Sequence, residues 1–322
     1  MRRPRHRALV PALLACFALI LTSCGDDNGS SDPLETGKSY DRLDAVTISG
    51  DVGTAPEVTW KGRMDAGKVE TTTLSEGDGA PIKSNDNVLA QVWVGNGYSQ
   101  QQSFSTYDQK SAELVTVDEQ LPPFLAGVQG AKLGSRLAIT ASAEEAFGET
   151  GNSQLGIANK DTVLVIVDLV SEVKDQPEGS TTPAPDWMPR LKMKKGVPSG
   201  FDFTDTPQPT DDLRKVQLIK GTGPRVKKGQ TIAVRYLGQA FDGDKPFDEN
   251  FGDTGTGQPT TFGIGTGQVI KGWDQGLDGM PVGSRVVLEI PPELGYGAEG
   301  QPDSGIPKNA TLVFVIDILG AA

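Results

Sequence analysis

The residues able to act as an imidazole base or a thiol nucleophile are few: His6, Cys16 and Cys24 in a chain of 322 residues. All three fall in the first 24 positions. If that segment is a leader, the remaining chain has one Cys at its new terminus and no His. Ser-His and Cys-His hydrolysis and His-ligated zinc are then excluded, as is an internal disulfide. The chemistry left uses carboxylates, hydroxyls, backbone amides and aromatic faces. Such groups cluster in short motifs of the last third: Val234-Arg235-Tyr236-Leu237-Gly238, Lys245-Pro246-Phe247-Asp248, Gln268-Val269-Ile270-Lys271-Gly272-Trp273, Leu294-Gly295-Tyr296-Gly297, Ile306-Pro307 and Ala310-Thr311-Leu312-Val313-Phe314. Taken singly, Trp273 and Phe314 read as core residues and Asp248 as a turn residue.

The elements that must hold these residues are mostly strands. Val286, Leu288 and Ile290 alternate with Arg285, Val287 and Glu289, and Leu312, Phe314, Ile316 and Ile318 share one face of a second run. Thr231 to Leu237 alternates in the same way. A period of two with one apolar face predicts a sheet with its core on one side. Gln268 to Leu277 is the best helix, with Ile270, Trp273 and Leu277 at i, i+3 and i+7. The expected class is α+β, a curved antiparallel sheet wrapped on a short α-helix.

The pattern occurs twice. Gly127–Arg136 matches Gly276–Arg285 at an offset of 149, which continues without a gap to Asp168 and Asp317. Upstream an offset of 143 pairs Val94-Gly95 with Leu237-Gly238 and Phe104 with Phe247, leaving six extra residues between Asp248 and Gln268. A lead-in strand recurs as well, Gly53–Trp60 resembling Gly196–Phe203. Shared glycines at fixed spacing predict a duplicated domain.

Arg2, Arg3, Arg5 and Arg7 precede an apolar run from Ala8 to Leu21, then Leu21-Thr22-Ser23-Cys24 and a polar stretch. This order predicts a secretory signal peptide over 1–23, the run being short of the roughly 20 residues that span a bilayer. Small residues ending in Cys24 resemble a bacterial lipobox, which implies a lipidated Cys24 on the outer face of the cytoplasmic membrane. Removing the leader leaves 26 basic residues against 42 acidic, a net charge of −16. Nucleic acid is an unfavourable partner for such a chain, and attachment to a membrane would rest on the lipid alone. The expected organisation is a flexible linker over 24–45, a first domain over 46–171, a second linker over 172–185 where Pro and Gly oppose regular structure, and a second domain over 186–322.

In their order and spacing, the motifs of the last 110 residues resemble the FKBP-type peptidyl-prolyl isomerases. The resemblance implies two FKBP-like domains and a pocket in the second. Trp273 would form its floor, Tyr236, Phe247 and Phe314 its walls, and Val269, Ile270 and Ile306 its rim. The Ile270 backbone N–H and the Tyr296 hydroxyl would hold carbonyls of a bound peptide, with Asp248 beside Tyr236 at the reacting amide. Tyr236, Asp248 and Tyr296 are thus the expected catalytic residues. No metal or cofactor is called for. Rotation about an X–Pro bond needs only an environment that favours the less polar, twisted amide, and an aromatic cleft that strips water provides one.

The implied partners are proline-containing unfolded or exported polypeptides, met by a monomer. The rival reading is an FKBP-fold lipoprotein that binds clients with little isomerase activity. A macrolide ligand is compatible with the pocket. Thr260, where many relatives carry an aromatic residue, Gln301, where some carry His, and a longer Gln301–Ile306 loop leave its affinity and the substrate preference open. Asp253–Gln258 reads as an exposed loop. In the first copy, Trp93 replaces Tyr236, Ser105 replaces Asp248, Leu121 replaces Ile270, Phe124 replaces Trp273, Phe147 replaces Tyr296, Ile157 matches Ile306 and Val165 replaces Phe314. That copy is expected to fold alike and isomerise weakly or not at all, serving as a client-binding module or as a spacer.

Overall fold

The computed structural model describes residues 38–252 and 257–322. The expected signal segment, Cys24 and most of the first linker lie outside the described residues, as do 253–256 of the expected exposed loop. No helix among the described residues is long and apolar enough to cross a membrane.

Two antiparallel sheets share one strand order, the second having one more strand at its edge. In the first, the path runs Glu70–Ser75, Arg136–Ser142, Thr162–Val173, Asn87–Asn96 and Gln101–Ser105, with Glu113–Thr116 also pairing Asn87–Asn96. In the second it runs Gly179–Thr181, Arg214–Gly221, Arg285–Ile290, Leu312–Ala321, Thr231–Ala240 and Asp248–Glu249, with Thr260–Gly263 also pairing Thr231–Ala240. Fixed polar contacts recur along this path. Arg136 pairs with Asp168 as Arg285 pairs with Asp317, each at 2.6 Å. Ser135 accepts the Gly77 N–H as Ser284 accepts the Gly221 N–H.

Both faces of each sheet are covered, where the sequence pattern had suggested one. The strand Leu312–Ala321 places Leu312, Phe314, Ile316 and Ile318 in the inner core, while Val313 and Val315 face a second cluster with Phe201, Leu237, Phe251 and Val287. That outer face is closed by the hairpin Arg190–Lys194 and Val197–Asp202. In the first sheet the hairpin Val46–Ser49 and Glu57–Trp60 stands near Trp93, Leu164 and Ile166 in the same manner. The repeated lead-in strand therefore forms one arm of a cover. Two-sided burial is what makes these strands read as nearly continuous apolar runs.

Both expected linkers are structured in part. Within 24–45, Ser39–Asp41 is a strand parallel to Arg63–Asp65 and Arg42–Ala45 is a 3-10 turn, because Tyr40, Leu43 and Ala45 have an apolar surface to join. Within 172–185, Gly179–Thr181 pairs with Arg214–Gly221 as an edge strand, and the N–H groups of Lys174, Glu178 and Thr182 donate to Leu319, Gly283 and Leu218. An edge position needs only one side of the backbone paired, so Gly and Pro nearby do not forbid it. Leu89 and Val173 from the first sheet, with Ala112 just before Glu113–Thr116, meet Ala233 and Leu319 from the second in a buried cluster. Beside it the Ala112 N–H donates to Thr231 Oγ1 at 2.8 Å.

The helix of the second sheet spans Lys271–Leu277, with Ile270 as its N-cap, and is therefore shorter than the expected Gln268–Leu277. Gly272 lets it lie on the sheet, since a β-carbon there would press into the Ile290 side chain. The first sheet carries a 3-10 segment, Pro123–Val128, at this place instead of an α-helix.

Candidate active site

Alternation along Thr231–Ala240 turns Ile232, Val234 and Tyr236 toward the inner core. Trp273, on the first turn of the helix, rises from the other side and is 4% exposed. Its indole packs edge-on against Tyr236 at 5.3 Å, Phe262 at 5.3 Å and Phe314 at 5.4 Å between ring centroids. Phe262 also meets Tyr236 at 5.8 Å, and Phe314 meets Phe247 at 5.7 Å. Each such pair contributes about 0.5–1.5 kcal/mol beyond simple burial, so five of them make a stiff aromatic group. The Trp273 Nε1–H is buried with no acceptor among the described residues.

Gly238 makes room for two of these rings. It pairs with Phe314 across the sheet, and a β-carbon on it would come to 2.5 Å from Phe314 and 2.6 Å from Phe247.

At the edge of the group, the Tyr236 hydroxyl donates to Asp248 Oδ2 at 2.6 Å. Asp248 is exposed, on a two-residue strand paired with Leu237 and Gly238. Burial, and then the Asp248 carboxylate, push the Tyr236 phenol well above its ordinary pKa. Tyr236 therefore stays a proton donor at neutral pH. Tyr296 follows the 3-10 turn Pro292–Leu294 and is 38% exposed. Its phenol is also raised, by desolvation first and by Asp248 second. Its hydroxyl makes no hydrogen bond within the described residues.

Val269 and Ile270 are half-buried against the inner core. The earliest donors to the helix are Trp273 and Asp274, both to the Ile270 carbonyl, so the helix does not use the Ile270 N–H. Ile306 is 2% exposed and exchanges two backbone hydrogen bonds with Gln301. It therefore backs the wall from inside and does not form the rim. Among the expected residues, Tyr236, Phe247, Asp248, Trp273 and Phe314 join by direct contact, while Val269, Ile270 and Ile306 share their core cluster. Phe262 was missed. It faces Ile232 on Thr260–Gly263, and a single aromatic residue among threonines was the available sign.

The first copy needs a register correction. Val94 pairs with Val165 as Gly238 pairs with Phe314, so the upstream offset is 144, with five extra residues in the second copy. Tyr236 then corresponds to Val92 and Asp248 to Phe104. Trp93 instead lies on the outer face, 5% exposed, donating its indole N–H to Gln102 at 2.7 Å. A slip of one residue moves a side chain through the sheet. Neither register supplies the hydroxyl–carboxylate pair. Val94 and Val165 occupy the places of Gly238 and Phe314, and Phe147 packs onto Phe124 at 5.5 Å.

A cavity of about 390 Å³ lies elsewhere, lined by Met188, Arg190, Leu191 and Leu218 beside the outer hairpin. It contains no residue of the aromatic group. Among the described residues no group of three or more His, Cys, Asp or Glu is placed to hold a metal ion.

Residues 223–319 match the family described as FKBP-type peptidyl-prolyl cis-trans isomerase. An FK506-binding protein of Streptomyces anulatus is 42% identical over 112 residues, covering 35% of this chain and 88% of the relative. FK506-binding protein 4 of Aspergillus oryzae is 35% identical over 214 residues, covering 64% of this chain. The chain spans 44% of the length of that relative. Among solved structures, a peptidyl-prolyl cis-trans isomerase of Pseudomonas syringae pv. tomato is 35% identical. That match covers 34% of this chain and 75% of the other, with a TM-score of 0.30.

Proposed function

Since the chain belongs to the FKBP-type peptidyl-prolyl cis-trans isomerase family, we propose that its second sheet and helix catalyse rotation about X–Pro bonds in polypeptides. The observation that carries this reading is the aromatic group around Trp273 bordered by the Tyr236–Asp248 hydrogen bond. A planar amide is polar and resonance-stabilised, and rotation faces a barrier of about 18–20 kcal/mol. The twisted amide has lost that resonance and is less polar. A proline ring against Trp273, Phe247 and Phe314 would place the preceding carbonyl in apolar surroundings. There the planar form is less well solvated and the twisted form is relatively favoured. Each ~1.4 kcal/mol of that difference is tenfold in rate.

The Tyr296 hydroxyl and the Ile270 N–H are the free donors for neighbouring peptide carbonyls. The Tyr236–Asp248 pair holds one edge of the pocket. No covalent intermediate is formed. The first copy, with Val92 and Phe104 at the two polar positions, is proposed to contribute little or no turnover.

The setting we propose is outside the cytoplasmic membrane, on a lipid carried by Cys24, with exported chains as substrates. It rests on the basic cluster, apolar run and Cys24 of the N-terminus. Uncatalysed prolyl isomerisation takes ~10–100 s and limits folding, so exported chains are suitable clients. Two experiments test these readings. The whole chain should broaden and merge the cis and trans resonances of an Ala-Leu-Pro-Phe-type peptide at substoichiometric concentration; unchanged exchange rates would refute the activity. Cys24→Ala should release the protein from the membrane fraction; full retention would refute the anchor.

A further inference from the structure

Asn250 stands where the chain leaves the second sheet. The strand Asp248–Glu249 is two residues long, and Asn250 continues it by donating its N–H to the Tyr236 carbonyl at 3.1 Å. A regular antiparallel pair would return the Asn250 carbonyl to the Tyr236 N–H. Instead the Asn250 side-chain Oδ1 accepts that N–H at 2.6 Å. The backbone is thereby free to turn at Phe251, which is buried in the outer cluster. The Asn250 amide nitrogen reaches the Val234 carbonyl at 3.1 Å, the Gln258 carbonyl at 3.3 Å and Thr260 Oγ1 at 3.1 Å. One side chain thus clasps the strand that carries Tyr236, the exit of the loop and its return.

The first copy supplies an internal comparison. Thr106 lies 144 positions before Asn250, is fully buried, and its Oγ1 accepts the Val92 N–H at 2.9 Å. Val92 holds the place of Tyr236. The side-chain lock on this backbone N–H therefore belongs to the repeated fold. The reach to Gln258 and Thr260 accompanies the copy that has a carboxylate two residues before the lock.

We propose that Asn250 is a positioning residue of the isomerase site, setting the Asp248 carboxylate against the Tyr236 hydroxyl without touching substrate. This rests on the isomerase reading above. Asp248 is exposed and its segment is pinned to the sheet by the Phe247 and Asn250 N–H bonds on either side of it. Without the side-chain clasp, one end of that segment is held by the Asn250 N–H bond alone.

The test uses the whole chain with Asn250→Ala and Asn250→Thr, each with and without Asp248→Asn, assayed well below the unfolding midpoint. Asn250→Ala should lower kcat and kcat/KM together by about tenfold, as expected for an interaction that matters in the transition state. Asn250→Thr should recover to within about threefold, because Thr106 makes the same backbone bond in the first copy. In the Asp248→Asn background the Asn250→Ala loss should shrink below about twofold, as for two residues acting through one contact. Hydrogen exchange at the Tyr236 amide should quicken in Asn250→Ala and slow again in Asn250→Thr. An Asn250→Ala activity within twofold of the unaltered chain, an undiminished loss beside Asp248→Asn, or unchanged exchange at Tyr236 would each overturn the proposal. Inactivity of the unaltered chain would overturn the isomerase reading and this role with it. The amide exchange, which needs no turnover, would still show whether the clasp exists.

Discussion

Gly238 and Phe314 face each other across adjacent strands, and the ring of Phe314 occupies the space that a β-carbon on Gly238 would need. Phe247 leans on the same space. The two rings and the missing side chain are one solution, and Val94 with Val165 is the other, found in the first copy. Gly238→Ala should therefore displace both rings. Crowding of this kind costs typically 1–3 kcal/mol, and kcat/KM should fall at least about tenfold. Denaturant midpoints and peptide kinetics on the same variant measure both effects.

Trp273 is the point where three aromatic contacts meet under the helix. Trp273→Ala removes all three and leaves a void, for which a loss of about 3–5 kcal/mol is expected. Chemical unfolding reads this directly. A loss under about 1 kcal/mol would show that the ring is not the packed floor described here.

Asp248 and Tyr296 are exposed, so their removal should separate activity from stability. Asp248→Ala is expected to leave the unfolding midpoint within ~0.5 kcal/mol of the parent while lowering kcat/KM. Tyr296→Phe should raise KM more than it lowers kcat, since its hydroxyl would hold a carbonyl in both planar and twisted states. Thermal unfolding alongside steady-state kinetics distinguishes the two.

The phenols of Tyr236 and Tyr107 are both raised, chiefly by burial and then by hydrogen bonds to Asp248 and Asp168. In the unfolded chain such groups titrate near 10. Above that pH the unfolded state loses protons that the folded state keeps, so stability falls as pH rises. Below about pH 10 their contribution is fully present. Tyr236→Phe should flatten part of this alkaline loss, and Tyr107→Phe another part, in unfolding measured between neutral pH and the alkaline limit.

Much of the inner face was legible in the sequence because its cause is local. Alternation in Thr231–Leu237 and Leu312–Leu319 fixes which side chains share a face, and the helix stripe places Trp273 beneath them. The outer face was not, since Val313 and Val315 are apolar for a reason lying over a hundred residues away in the hairpin at Arg190–Asp202, which also covers Leu237. Register in the first copy was misread through glycine. Gly95 and Gly238 share a residue type, but Gly95 clears the Trp93 ring and Gly238 clears Phe314 and Phe247. Aligning them shifted every neighbour through the sheet. Phe262 lacked a repeating pattern of its own, and Asn250 works through side-chain bonds that replace a backbone bond, which leaves no periodic trace.

The most direct measurement is a protease-coupled isomerisation assay on an X–Pro peptide with the whole chain, beside the same chain carrying Asp248→Ala and Tyr296→Phe together. Both substitutions are at exposed positions, so the fold is retained. The unaltered chain should accelerate isomerisation in proportion to its concentration, and the double variant should fall close to the uncatalysed rate, the first copy adding little. No acceleration by the unaltered chain, or full activity in the double variant, would contradict an isomerase site built on Tyr236, Asp248, Trp273 and Tyr296.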